Sequence, residues 1–212
     1  SSYGAMNLKE ILAKVEAREM TAEEALQILG ESAEKNLGFA RVDIDRLHRR
    51  GMSEVIYAPG KTAEQIVAIM SVLRSANQNT LVTRATREQF EVVHARFSGA
   101  LYNELARTIT LDIAPLPKQV GLVVVLSAGT SDIPVAEEAA LVAGRMGARV
   151  EKIFDVGVAG LHRLLRHVEI FKQARVLIVV AGMEGALPSV VGGLVDCPII
   201  AVPTSVGYGA NF

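Results

Sequence analysis

Four glycine-bearing stretches in the second half of the sequence hold most of the residues able to bind an anion or move a proton: Ser127-Ala-Gly-Thr-Ser-Asp132, Asp155-Val-Gly-Val-Ala-Gly-Leu-His162, Ala181-Gly-Met-Glu-Gly-Ala-Leu-Pro188 and Pro203-Thr-Ser-Val-Gly-Tyr-Gly209. The first offers the hydroxyls of Ser127, Thr130 and Ser131 and the compact backbone of Gly129, with Pro134 suited to a first helical turn. Small residues ahead of a helix let backbone amides approach a phosphate, and the helix N-terminus attracts it. Asp132 can cap that helix, bind a ribose or hold a metal; an ordinary capped turn has the same composition. In the second stretch His162 opens a helix beside Asp155, Gly157 and Gly160, a place suited to proton transfer or phosphate contact, though a lone surface histidine is common. The third sets Glu184 among Gly182, Met183 and Gly185. A charge in a glycine-rich, apolar loop is costly to bury unpaired, so Glu184 is either a general base and substrate contact or a solvated loop acid. The fourth adds Thr204, Ser205 and Tyr208.

Other candidates carry less. Cys197 stands in Asp-Cys-Pro at the entrance to a strand, at the end opposite these loops, and reads as a small hydrophobe rather than a nucleophile. Gly60-Lys61-Thr62 fails as a phosphate loop because Val55 stands where the first glycine belongs, leaving only a helix N-terminus at Thr62 as an anion contact. His48, His94, His162 and His167 lack metal-ligand spacing with a carboxylate pair. His48-Arg49-Arg50 and Arg84 read as solvated bases, with a phosphate role only if their segment folds over the site.

Regular elements must position the four stretches. Leu122–Leu126, Arg149–Phe154, Val176–Val180 and Pro198–Val202 are short apolar runs. They alternate with helical patterns at 132–146, 159–168 and 186–194. That alternation predicts a parallel sheet covered on both faces, and every post-strand loop then emerges at one carboxyl edge, where ligands bind. Upstream, Asn7–Glu19 is amphipathic. Thr21 with Glu24, and Thr62 with Gln65, are capping-box starts of further helices. Short strands are predicted at 39–43, 54–58 and 80–83 and a helix at 86–95. Pro115 and Pro117 mark a linker. The expected architecture is α/β: a three-layer parallel-sheet domain at 118–212, preceded by a smaller α+β region at 1–117, of which 1–5 reads as a tag remnant.

Composition narrows the function classes. The chain has 212 residues, half of them hydrophobic, enough for a sizeable core. Its 22 basic and 23 acidic residues leave no basic excess, which argues against nucleic acid as a partner. Apolar runs are too short for a membrane helix. One cysteine rules out a disulfide framework within the chain, and the reading is cytoplasmic.

Together the four loops are similar to those of aminoimidazole ribonucleotide carboxylases (PurE-like, flavodoxin-like): a Ser-Asp loop, a loop ending His-Arg, an Ala-Gly loop ending Leu-Pro, and the closing strand 198–203. Val-Gly-Val-Ala-Gly-Leu-His, Gly-Met-Glu-Gly and Thr-Ser-Val-Gly-Tyr-Gly depart from the purine enzymes. With Gly38–Asp43 and Glu54–Gln65, they resemble the LarB-type nickel-pincer nucleotide cofactor biosynthesis family. The resemblance runs from about residue 7 onward. It implies a carboxylase and phosphoanhydride hydrolase that takes nicotinic acid adenine dinucleotide and CO2 or bicarbonate. The products would be AMP and pyridinium-3,5-biscarboxylic acid mononucleotide. It further implies an addition–elimination by a thiolate, which turns the electron-poor pyridinium into an enamine able to attack CO2. In the family that thiol follows the Gly-Tyr-Gly loop. This sequence stops at Phe212, so the nucleophile and last elements are expected to be missing from it.

By the same resemblance Glu184, His162 and Asp132 would be catalytic, Glu184 abstracting a proton or ordering a metal-bound water. Ser127, Gly129, Thr130, Ser131, Asp155, Gly157, Gly160, Gly182, Met183, Gly185, Thr204, Ser205 and Tyr208 would line the substrate site. Mg2+ suits the anhydride hydrolysis, with no tightly bound organic cofactor. A homo-oligomer, an octamer by analogy, is expected. The competing readings are an aminoimidazole ribonucleotide carboxylase or mutase of purine synthesis and a non-catalytic nucleotide-binding module.

Overall fold

The computed structural model describes residues 8–44, 54–157, 160–182 and 186–204. It begins with α1 (Leu8–Glu16) and α2 (Ala22–Ala33), which pack through Ile11, Met20 and Ala25. The capping box is present: the Thr21 amide donates to Glu24 Oε2 at 2.8 Å, and the Glu24 amide donates to Thr21 Oγ1 at 3.1 Å. The backbone bond from Thr21, then its hydroxyl, holds the Glu24 carboxyl below its ordinary pKa. β1 (Glu34–Asn36) and β2 (Arg41–Asp43) form an antiparallel pair.

A four-stranded sheet follows, in the order β3 (Val55–Tyr57), β4 (Thr80–Thr83), β6 (Thr108–Leu111), β5 (Leu101–Asn103). Between these strands run α3 (Ala63–Ser75) and α4 (Arg87–Arg96). Helix α3 starts at the predicted capping box, with Thr62 accepting from the Gln65 amide and Gln65 from the Thr62 amide, and it buries Ile66, Ile69, Met70 and Leu73. No element is predicted over 97–113, yet β5 and β6 lie there. They are three and four residues long.

The second half is β7 (Leu122–Ser127), a 3₁₀ turn at Thr130–Asp132, α5 (Ile133–Arg145), β8 (Arg149–Ile153), α6 (Leu161–Leu165), α7 (Val168–Gln173), β9 (Val176–Gly182), α8 (Ala186–Gly192) and β10 (Ile199–Thr204). The helix predicted over 159–168 has no single counterpart: α6 ends at Leu165, and α7 begins after a turn at Arg166 and His167.

All three strand pairings are parallel, in the order β10-β9-β7-β8. The first strand of this unit thus lies between the second and third, a flavodoxin-like doubly wound order. Its switch point, where ligands bind in such sheets, falls at the carboxyl ends of β7 and β9.

The sheet's two faces follow from the period-2 alternation of side chains. Leu122, Val124 and Leu126 of β7 and Leu177, Val179 and Ala181 of β9 pack with Leu164, Phe171, Leu187 and Val191 of α6, α7 and α8. Val125 and Val180, on the opposite face, pack with Ala136 and Ala140 of α5. Alanines there let α5 approach the strands closely.

By contacts the chain divides into two compact units. The first comprises Ser1–Val82, Glu88–Leu101 and Ile109–Ala114, and the second comprises Thr83–Arg87, Tyr102–Thr108 and Pro115–Phe212. Among the described residues, no helix is long and apolar enough to cross a membrane.

Candidate functional site

The first loop is built around a buried carboxylate. Asp132 is 3% exposed. Its Oδ2 accepts the Gly129 amide at 3.0 Å, closing the 3₁₀ turn from inside. Its Oδ1 accepts the Thr204 hydroxyl at 2.6 Å, and Thr204 is itself 4% exposed at the end of β10. One side chain thus ties the loop after β7 to the strand two places away in the sheet. The structure corrects the cap expectation: Asp132 makes no side-chain bond to the helix that follows, and reaches back to Gly129 instead. Both carboxylate oxygens are engaged inside the protein. The geometry gives Asp132 a positioning role, one internal bond accepted at each oxygen. The Gly129 amide, read from sequence as a phosphate donor, is spent on Asp132. The Thr204 hydroxyl is bonded there too, while Thr204 itself still lines a cavity beside this loop.

Ser127 is the second correction. It is fully buried, and its Oγ accepts the Asp155 amide at 3.1 Å. The Ser127 carbonyl accepts the Val156 amide at 3.0 Å, and the Ala128 amide donates to the Val180 carbonyl at 3.0 Å. Ser127 therefore joins the first loop to the second and is not presented to a ligand. Thr130 and Ser131, by contrast, are exposed on the 3₁₀ turn.

The second loop departs from β8 through Asp155, whose φ of 58° is left-handed. Aspartate tolerates that region better than most residues with a Cβ. Gly157 lies against the first loop, where a Cβ would stand 3.0 Å from the Ala128 carbonyl oxygen. Glycine leaves room for this close approach of two backbones, where a Cβ would force a shift of a few tenths of an ångström. The Gly160 amide donates to the Gly157 carbonyl at 2.8 Å, turning the chain into α6. His162 and Arg163 are exposed on that helix. The Arg163 guanidinium donates to the Asp155 carbonyl at 3.2 Å and lies 3.6 Å from the Asp155 carboxylate.

Gly182 ends β9, paired in register with Thr204. Met183, Glu184, Gly185, Ser205 and Tyr208 lie outside the described residues, as do His48, Arg49 and Arg50. At the sheet edge the described residues form two bonded sets, Gly129 and Thr204 on Asp132 and Asp155 on Ser127, with Gly157 lying close against Ala128. His162 stands apart from both sets, linked only through its neighbour Arg163.

Cys197 packs against the core cluster beneath α8, in the turn leading into β10 at the amino end of the sheet, as a small hydrophobe would. Lys61 donates to the Tyr57 carbonyl at 2.7 Å. Among the described residues no three of His, Cys, Asp and Glu come together as a metal cage. With Asp132 engaged inside the fold, these residues do not by themselves fit a protein-held Mg2+.

Two residues that sequence reasoning passes over or discounts become visible only in the fold. Arg84 and Arg107 both have left-handed backbones, with φ of 55° and 49°. Their segments are joined by the Ala85 amide donating to the Arg107 carbonyl at 2.9 Å. Arg84, read as a solvated base, donates through Nε to Glu138 of α5 at 2.6 Å. Nothing in the local sequence marks Arg107, which sits in the loop between two unpredicted strands.

Comparison with known proteins matches this arrangement segment by segment. Residues 34–113 match the LarB/PurE-like N-terminal domain, and residues 122–210 match the AIR carboxylase domain. An uncharacterized protein of Methanocaldococcus jannaschii is 38% identical over 177 residues, covering 80% of this chain and 69% of that one.

Proposed function

Because the chain belongs to the LarB family, with a PurE-like C-terminal domain of the carboxylase type, we propose that it acts on nicotinic acid adenine dinucleotide. In this reading it carboxylates the pyridinium ring with CO2 and hydrolyses the phosphoanhydride. The balance is dinucleotide, CO2 and water going to pyridinium-3,5-biscarboxylic acid mononucleotide, AMP and protons. The carboxylation exchanges a ring C–H for a C–carboxylate bond and releases that proton. No redox partner is needed.

The observation that carries the reading is the pairing, along one chain, of the LarB-type N-terminal match with the AIR carboxylase match. A purine-pathway carboxylase accounts only for the second. The roles proposed in this reading are these. Asp132, Ser127 and Thr204 hold the loops; Thr130 and Ser131 present hydroxyls at the switch-point edge; His162 is an exposed group for proton transfer beside the second loop. Glu184 remains the proposed base, Met183, Gly185, Ser205 and Tyr208 remain proposed pocket residues, and a homo-oligomer of the octameric kind remains the proposed assembly. Mg2+ enters only as a counter-ion of the substrate's diphosphate, and no step is assigned to it.

Mass spectrometry of the full-length protein with nicotinic acid adenine dinucleotide, bicarbonate and Mg2+ tests the proposal. AMP and a doubly carboxylated mononucleotide are expected together. Turnover of aminoimidazole ribonucleotide instead would move the protein to purine synthesis, and turnover of neither would leave a binding module.

A further inference from the structure

Beside the first loop, the second compact unit contains a cavity of about 560 Å³, within the usual range for small-molecule sites. Ser131 and Pro134 line it at the start of α5, Pro203 and Thr204 at the end of β10, and Arg84 and Arg107 from the segments at 83–87 and 102–108. No described residue of the second loop lines it. Charge is unevenly distributed here. Arg84 is offset by Glu138. Glu104, the one acid among the described residues lining the cavity, is offset by Arg87 at 3.0 Å. Arg107 is exposed and makes no side-chain ion pair or hydrogen bond among the described residues. Leu105, Val135 and Val202 give the same cavity apolar wall.

We infer that this cavity is a nucleotide phosphate subsite anchored by Arg107. It would take the phosphate of the leaving adenylate, while the pyridinium half lies toward the second loop. A planar guanidinium donates in pairs to phosphate oxygens, which a solvated lysine would do less specifically. The apolar walls suit the ribose and base face that accompany a nucleotide phosphate and would be idle for a free inorganic anion. Arg84, with its Nε committed to Glu138, fixes the segment whose Ala85 amide bonds the Arg107 carbonyl, and so positions the anchor. The assignment to adenylate rests on the dinucleotide reading, whereas the phosphate site itself does not.

Isothermal titration of the full-length protein with AMP, and separately with inorganic phosphate, tests the inference. The variants are R107A, R107K and R107E, each checked by thermal melting. AMP should bind more tightly than phosphate. Its Kd should rise at least tenfold in R107A and further in R107E, with part of the affinity kept in R107K. In turnover, R107A should raise KM for the dinucleotide more than it lowers kcat. AMP binding unchanged in folded R107A and R107E would overturn the inference. Inorganic phosphate binding as tightly as AMP would overturn the nucleotide assignment. If the dinucleotide is not turned over and AMP binding still depends on Arg107, the subsite stands and only the substrate reading falls.

Discussion

Asp132 and Asp155 each follow a strand of the same parallel sheet and reach the same edge, yet they sit in opposite surroundings. Asp132 is 3% exposed and bonded through both oxygens, to Gly129 and to Thr204. The Asp155 side chain is 56% exposed and, among the described residues, is paired with Arg163 at 3.6 Å. The first loop is therefore built into the core, and the second is laid over it through Ser127 and Gly157. A site needs both kinds of part. Rigid groups fix where the ligand sits, and groups open to solvent exchange protons with it. An acidic residue at a strand end is not a catalyst by location alone; its partners decide.

The contrast is broken most severely at Asp132. Asp132→Ala leaves the part-buried Gly129 amide and the buried Thr204 hydroxyl without an acceptor, which should cost about 3–5 kcal/mol in urea unfolding, as two donors to a charged group are lost. Asp132→Asn should cost about half of that, since one carbonyl oxygen remains. In a double-mutant cycle with Thr204→Val, the pair should show about 1–3 kcal/mol of coupling. Coupling near zero would mean that the link between the first loop and β10 does not hold the edge together.

Gly157→Ala should come next. The added Cβ would meet a backbone oxygen at 3.0 Å, and a carbonyl cannot rotate aside as a side chain does. About 1–3 kcal/mol of destabilisation is expected from the forced shift, with a fall in turnover because both loops move. The same substitution at Gly160 should be milder. Its nearest atom, Arg163 Nε at 2.9 Å, belongs to a flexible side chain.

His162→Ala sharpens the comparison from the exposed side. The ring is exposed on α6, so the melting curve should barely change. If His162 transfers a proton, kcat should still fall by about a hundredfold or more. A variant with wild-type turnover would leave the second loop with only its backbone and Arg163 as working parts.

The sequence showed the parallel sheet readily because its strands are apolar runs separated by helical patterns. The capping boxes at Thr21 and Thr62 were legible for a similar reason, since both partners lie three residues apart. What escaped was every relation between distant positions. Nothing local says that Thr204 bonds Asp132, or that Ser127 turns inward to accept the Asp155 amide. Serine before a glycine turn reads as an exposed donor, and burial alone reverses that. Strands β5 and β6 were missed because such short segments owe their conformation to neighbours in the sheet. Arg107 was invisible with them.

The smallest effect is expected at Asp155→Asn, and it tests the comparison most sharply. Asparagine keeps the tolerance for a left-handed backbone that φ of 58° demands. What it removes is a charge facing Arg163 across 3.6 Å, with the two side chains 53% and 56% exposed. Water screens such a pair, so the loss should stay below about 0.5 kcal/mol. Asp155→Val alters the backbone preference instead and should cost more, about 1–2 kcal/mol, because a β-branched residue is disfavoured at positive φ. Urea unfolding of the two variants separates charge from conformation. If Asn costs as much as Val, and added salt weakens the wild-type protein to match, then the Asp155 charge is structural. The second loop would then be held as the first one is, and the division between a rigid and an open acid at this edge would fall.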